Sequence, residues 1–349
     1  MRNKKLVNYA KYGYIFSIPF ILTFCVFTLY PVFYTLVIGF TDLKGPGSTF
    51  SFFALVLDLF NVKNPDGTPI SEFHFLPKVD KNLFNNFKDV LTSGTFQKAF
   101  KNTWIIWILN FIPQIGFALL FTAWFTDRRS KVKGQGIFKI LFYMPNIITA
   151  ATLAILFNVM FGYPKGPAND ILIGVSKLFG VERKAYAFNA HEWPVKLIIA
   201  FVQFYQWYGH TMVNLIAGVI GISPEVFEAA EIDGANRVQT FFLVTIPCIR
   251  QIMLFVLVTS LIGGLNMFDI PQLYINTQAN NAGLTTNMYI RNQAFSGSYL
   301  YNRAAAASVI LFIVIVILSS ILFYILRDKD EAKIKKLRKQ ELRAARKGL

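Results

Sequence analysis

This chain has little of the material from which most catalytic and metal sites are built. Its 349 residues hold two cysteines and three histidines. Cys25 falls inside a long apolar run and Cys248 lies beside Pro247, so no disulfide framework is implied, and neither thiol has a neighbouring His or Cys with which to hold a metal. His74, His191 and His210 are scattered along the sequence. There is no GxxxxGK(S/T), which excludes ATP hydrolysis by a P-loop in this chain. No HExxH, serine nucleophile elbow or carboxylate pair at catalytic spacing is present, so an enzymatic reading has no acid–base cluster to stand on. Acidic residues are scarce too, 19 against 35 Lys and Arg, for a net charge of +16. Such an excess can mark a nucleic-acid binder. Here, however, the basic residues sit in tails and loops beside apolar runs, where membrane orientation and anionic lipid account for them. Nucleic acid is therefore excluded as a partner. Internal repeats and low-complexity domains are also missing.

What the chain does have is apolar length. It is 54% hydrophobic and 16% aromatic, with 36 Phe and a mean hydropathy of +0.45, which is the composition of an all-α integral membrane protein. A helix needs roughly 20 apolar residues to cross about 30 Å of hydrocarbon. Six stretches qualify: Tyr14–Phe40, Trp104–Phe125, Ile140–Phe161, Leu197–Ile222, Ile252–Ile275 and Ala304–Leu326. The first is too long for a removable signal peptide and has no small-residue cleavage site, so it reads as an anchor. Positive residues flank the spans at Arg2, Lys4, Lys5 and Lys11, at Arg128, Arg129, Lys131 and Lys133, and at ten positions between Arg327 and Lys347. All three clusters fall on one side if both termini are cytoplasmic. The expected organisation is a cytoplasmic N-terminus (1–13), a first span (14–40), an external loop (41–103), a core of five further spans (104–326) with a cytoplasmic loop at 223–250, and a basic tail (327–349).

That cytoplasmic loop is unusual. Ser223 reads as an N-cap, Pro224 as the first helical residue and Gly234 as the left-handed stop, with Glu225 and Glu228 complementing the positive end of the helix dipole. A second short helix is expected from about Arg237 to Thr245, ended by Pro247. The spacing of Glu228-Ala229-Ala230, Gly234 and Val244-Thr245-Ile246-Pro247 resembles the EAA loop of ABC-importer permeases, with Val244 and Ile246 as conservative departures. Other segments are similar to the carbohydrate (maltose/glycerol-phosphate-type) subgroup. They are Pro19 and Tyr30-Pro31, Asn86 to Leu91 with Phe96 and Asn102-Thr103-Trp104, Met144-Pro145-Asn146, Trp207-Tyr208-Gly209, Phe268-Asp269, and Thr285 to Ile290 with Ala294-Phe295. Gln278-Ala279-Asn280-Asn281 departs from the subgroup's Gly-Gly-Gly-Pro. The resemblance implies the transmembrane-domain fold of a type I ABC importer in a bacterial plasma membrane. It further implies an ATPase dimer docked on the loop through Glu228, Ala229, Ala230, Gly234 and Pro247, a second homologous permease and an external solute-binding protein. ATP would be used by the partner, with no cofactor in this chain.

For a substrate path, the fourth span carries the most chemistry. Gln203, Gln206, Trp207, His210 and Asn214 follow helical spacing and share one face, which must meet protein or water rather than lipid. Amides beside an aromatic ring suit a sugar; the competing reading is hydrogen bonding between helices. Asp269 is the one formally charged residue inside the spans and sits near the outer interface. Asn266, Phe268 and Asp269 before Pro271 form a second candidate path segment, or Asp269 is simply an interfacial carboxylate.

Three further readings stay open. The 45–81 stretch, in which Phe50–Phe60 is too short to span and Asn64-Pro65-Asp66-Gly67 is a turn, is either a docking surface or an insertion. The tail, with Glu331 and Lys335 spaced for an ion pair, is either a solvated orienting helix or a regulatory one. The expected function is import of a di- or oligosaccharide by alternating access. The alternatives are another polar solute such as glycerol phosphate or a polyamine and, from another class, a secondary transporter or membrane-embedded enzyme.

Overall fold

The computed structural model describes residues 10–48, 50–68, 71, 73–79, 81–127, 133–274, 281–297 and 299–327. The basic residues Arg2, Lys4, Lys5, Arg128, Arg129 and Lys131, the Gln278-Ala279-Asn280 departure, Ile275 and the tail beyond Arg327 lie outside the described residues. Within them there is no strand, and the helices run in this order: α1 (Ala10–Phe24), α2 (Tyr30–Ile38), α3 (Phe52–Leu59), α4 (Asn85–Thr92), α5 (Gly94–Thr126), α6 (Gln135–Ile147), α7 (Ala150–Met160), α8 (Pro167–Leu178), α9 (Glu192–Ile220), α10 (Pro224–Ile232), α11 (Arg237–Gln239), α12 (Ile246–Cys248), α13 (Arg250–Leu265), α14 (Asp269–Tyr274), α15 (Thr286–Phe295) and α16 (Tyr301–Leu326). Four helical stretches are long and apolar enough to cross a membrane: Tyr12–Ile38, Gly94–Thr126, Arg250–Tyr274 and Tyr301–Leu326. A fifth crossing exists if α6 and α7 are taken together. Helix α9, at 29 residues, has the length but not the apolarity, because its amide and imidazole stripe dilutes it.

Prolines shape two of these helices in the same way. A π-helical stretch, Cys25–Leu29, precedes Tyr30-Pro31, and the Tyr30 amide donates to the Cys25 carbonyl. A second, Thr240–Thr245, precedes Ile246-Pro247, and the Ile246 amide donates to the Phe241 carbonyl. A proline ring collides with the carbonyl four residues back. Widening the preceding turn moves that carbonyl aside without ending the helix. The expectation that Pro247 terminates the second loop helix is thereby corrected: the helical path runs on through Cys248.

The chain divides into two compact units. The first comprises residues 1–97 and 289–312. Here the 41–103 segment folds on itself. Ser51 caps α3 by accepting the Ala54 amide at 3.2 Å, and Leu55, fully buried, packs with Val37, Ile38, Leu43, Phe73 and Ala305. The Phe50–Phe60 stretch thus belongs to an apolar core, and the Asn64–Gly67 turn forms with Gly67 at φ +82°. Buried Asp58 lies 2.9 Å from both His74 Nδ1 and Lys78 Nζ. Burial works to raise the Asp58 carboxyl, but the hydrogen bonds and charges of His74 and Lys78 outweigh it and hold the group below the usual carboxylate range.

The second unit comprises residues 98–288 and 313–349. Its α6 and α7 are not the unbroken span expected over Ile140–Phe161; they meet at 90°. Ile148 and Thr149 are extended at the break, the Ile148 carbonyl accepts the Gln206 amide at 3.3 Å, and Thr149 caps α7 by accepting the Thr152 amide at 3.2 Å. Freed backbone groups are thus satisfied by protein, the condition for a broken helix at membrane depth. At Gly209 a Cβ would stand 2.0 Å from the Phe142 carbonyl oxygen, so only glycine lets α9 approach the α6 backbone this closely.

Candidate substrate cavity and coupling loop

Three helices of the second unit, α5, α9 and α13, line a partly open cavity of about 140 Å³. Asn110 and Gln114 come from α5, while Gln203, Trp207, His210, Thr211 and Asn214 come from α9. Helix α13 gives Val256, Thr259, Ser260, Gly263 and Gly264. The cavity has an apolar cluster on either side along these helices. One contains Ile106, Ile199 and Met267; the other contains Ala118, Leu215 and Met253. In α5 the cavity residues fall between the two clusters, in α9 they fall between them and overlap the second cluster at Met212, and in α13 they overlap it at Val256, which belongs to both. A polar layer thus sits between two apolar plugs.

Most of the cavity's polar groups bond to one another. Gln114 Nε2 donates to Thr211 Oγ1 at 2.8 Å, and Ser260 Oγ donates to Gln114 Oε1 at 3.3 Å. Asn214 Nδ2 lies 3.0 Å from His210 Nε2, and the Trp207 ring meets the imidazole edge-on at 5.8 Å. Thr259 bonds back to the Phe255 carbonyl of its own helix. Asn110 Oδ1 is buried without a partner, and so is Trp107 Nε1, one helical turn earlier. The Trp107 ring packs against Gly264, where a Cβ would come within 2.0 Å of it.

The structure therefore brings four of the five α9 residues singled out in the sequence to one cavity. The fifth, Gln206, is buried at the α6–α7 break, where it serves as an interhelical hydrogen-bonding residue. Asn266, Phe268 and Asp269 do not line the cavity. Asn266 bonds to the Ile262 carbonyl at 2.9 Å, and its own carbonyl accepts Asn287 Nδ2 at 2.7 Å. Asp269 is exposed in the first turn of α14, where its charge complements the helix dipole. The sequence reading missed Asn110 and Gln114, although their i,i+4 spacing in an apolar span was a visible signal. It also missed Thr211, Thr259, Ser260, Gly263 and Gly264, whose small size gives no such signal.

The 223–250 loop forms as a capped helix. Ser223 occupies the N-cap position with Pro224 behind it, but its side chain makes no capping bond; the proline and Glu225 in the first turn carry the start of α10. At the other end Gly234 has φ +76°. The Ala235 amide donates to the Ala230 carbonyl and the Gly234 amide to the Glu231 carbonyl, both at 3.0 Å, which is a complete Schellman motif. Asn236 and Gln239 then form a reciprocal capping box for α11. Ala230 and Phe227 face inward, whereas Glu228, Ala229 and Ile232 stand exposed. Arg237 Nε lies 3.4 Å from Asp127 Oδ2, linking the loop to the end of α5. Among the described residues no group of His, Cys, Asp and Glu is placed to hold a metal ion.

Comparison with known proteins agrees with this architecture. The family profile described as "Binding-protein-dependent transport system inner membrane component" matches residues 103–336. The lactose transport system permease protein LacF of Rhizobium radiobacter is 26% identical, over 91% of this chain and 94% of that protein. The arabinooligosaccharides transport system permease protein AraP of Bacillus subtilis (strain 168) is 28% identical, over 81% of this chain and 78% of its own length. Among solved structures, a bacterial ABC transporter that imports the acidic polysaccharide alginate matches with a TM-score of 0.68 at 19% identity, covering 91% of this chain and 95% of that one. A bacterial alginate ABC transporter in complex with an alginate pentasaccharide-bound periplasmic protein also matches (TM-score 0.67, 19% identity, 90% of this chain and 93% of that one).

Proposed function

The chain belongs to the family of binding-protein-dependent transport system inner membrane components, and from that membership we propose that it is one of two membrane-spanning subunits of an ATP-driven sugar importer. The observation that carries the sugar reading is the polar cavity between α5, α9 and α13, which offers amides, hydroxyls and an accessible indole face and contains no Lys, Arg, Asp or Glu. The sugar class is also that of relatives such as LacF and AraP. A phosphate would find no cation there, and a proton- or sodium-coupled transporter would want a carboxylate.

In this proposal the chain crosses a bacterial plasma membrane six times, with α9 and the bent α6–α7 pair as two of the crossings and both termini in the cytoplasm. A second permease completes the path, an external solute-binding protein delivers the sugar, and a separate ATPase dimer hydrolyses ATP. This chain needs no cofactor and performs no catalysis. Glu228, Ala229, Ala230, Gly234 and Pro247 form the ATPase dock, and α10 acts as a rigid lever because both of its ends are fixed. Asn266, Phe268 and Asp269 form an outer vestibule. Alternating access then opens the polar layer to one side at a time by parting one apolar plug or the other.

The test compares Trp207→Ala and Asn214→Leu for yield of the assembled complex and for uptake of several sugars. Weakened uptake in the first and altered sugar preference in the second, with assembly intact, is the expected result. Loss of assembly with unchanged preference would return these residues to interhelical bonding, the role Gln206 already has.

A further inference from the structure

The polar groups around the cavity fall into two sets. Gln114, Thr211 and Ser260 satisfy one another, Asn214 and His210 form a pair, and Thr259 bonds to its own helix. These hold the wall together. Asn110 and Gln203 do not take part: both side chains are buried, at 5% and 9% exposure, and neither makes a hydrogen bond to the described residues. The Asn110 carbonyl oxygen is buried without a partner, so the Asn110 side-chain nitrogen and the Gln203 amide are the groups within reach of a ligand. An unpaired buried polar group is costly and calls for a ligand that pairs with it. The required ligand group must both accept from and donate to an amide, which a hydroxyl does and a carboxylate does not. Trp207, 43% exposed, supplies a flat apolar surface next to these amides.

Resting on the reading of this cavity as the sugar path, we infer that Asn110 and Gln203 are its specificity-determining residues and that this wall accepts uncharged sugar rings while rejecting uronic acids. The rejection follows from the lining: twelve residues with no Lys or Arg among them. A carboxylate entering would shed its water, find no cation and face the lone pairs of amide and hydroxyl oxygens. The one imidazole in the wall is already engaged, with Asn214 Nδ2 lying 3.0 Å from His210 Nε2. A neutral pyranose meets each of these groups in kind, with hydroxyls to Asn110 and Gln203 and its C–H face to Trp207.

Calorimetric titration of the purified complex, with its partner permease and ATPase but without the binding protein, isolates this wall from upstream selection. Lactose and arabinotriose serve as neutral probes and digalacturonate as the acidic one. Wild type should bind at least one neutral probe more tightly than digalacturonate by at least tenfold. Asn110→Leu should weaken neutral binding at least tenfold. Gln203→Lys, which adds a cation to the same wall, should narrow the neutral-to-acidic gap at least tenfold, and it decides the matter alone if the leucine variant fails to assemble. Equal binding of neutral and acidic probes, or a gap unmoved by Gln203→Lys, overturns the inference and leaves the sugar path standing. Failure of all three probes to bind, together with unaltered cellular uptake in Trp207→Ala, overturns the path itself.

Discussion

At the scale of single residues, two neighbouring glycines of α13 have opposite surroundings. A Cβ on Gly264 would sit 2.0 Å from Trp107 Cδ1, whereas one on Gly263 would meet nothing within 4 Å. Gly264→Ala should therefore overpack the α5–α13 seam and destabilise it by about 1–3 kcal/mol, lowering the thermal midpoint of the detergent-purified complex. Gly263→Ala should leave that midpoint unchanged or raise it slightly, because alanine favours the helix; equal losses in both would show that the ring does not pack as described. Asp58 carries a second prediction. Its carboxyl titrates lower in the folded protein than the usual 3.8, so its stabilising contribution is present above the unfolded value and is lost as pH falls through the folded one. The 52–79 segment should become protease-sensitive on acidification below about pH 4. In Asp58→Asn it should be sensitive already at pH 7, with a loss on the order of 2 kcal/mol from the broken charged hydrogen bonds.

At the scale of elements, the loop helix α10 gives the sharpest expectation, because its C-terminal stop depends on one backbone conformation. Gly234 at φ +76° has open space around its missing Cβ, so the difficulty for another residue is conformational and not steric crowding by neighbours. Valine there should cost at least the roughly 1–2 kcal/mol of a left-handed L-residue and unwind the Schellman stop. The protein should still insert in the membrane while uptake fails and ATP hydrolysis no longer responds to substrate; Glu228→Lys should give the same uncoupling through charge. Full transport by either inserted variant would remove the coupling role from α10. This helix was legible in sequence because its stop signal is local, as were the 64–67 turn and the polar stripe of α9. Other features were not. The π-helical stretches before Pro31 and Pro247 are one of two answers to the same local clash, and the sequence does not say whether a helix widens or ends. The break at Ile148 depends on Gln206, 58 residues away, supplying the hydrogen bond. The i,i+4 spacing of Asn110 and Gln114 is visible in the sequence, but only the facing Thr211 and Ser260 mark the pair as a cavity wall.

At the scale of the whole molecule, the proposed six crossings with cytoplasmic termini make a direct prediction. In a background lacking Cys25 and Cys248, a cysteine at Glu231 should react with an impermeant reagent only from the cytoplasmic side, and one at Asn64 only from outside. External labelling at 231 would invert the orientation and remove the ATPase dock. How the crossings move against one another is constrained by a feature smaller than any of them, the missing side chain of Gly209. Sliding α9 along α6 by one helical turn, about 5.4 Å, would bring Tyr205 or Val213 to the place where Gly209 now lies against the Phe142 carbonyl. A Cβ there already comes within 2.0 Å, and a phenol or an isopropyl group needs far more room. The seam therefore has no second register. These two helices travel together as a welded strut, and any motion that opens the polar layer must bend at the Ile148–Thr149 corner or rotate the strut as a whole.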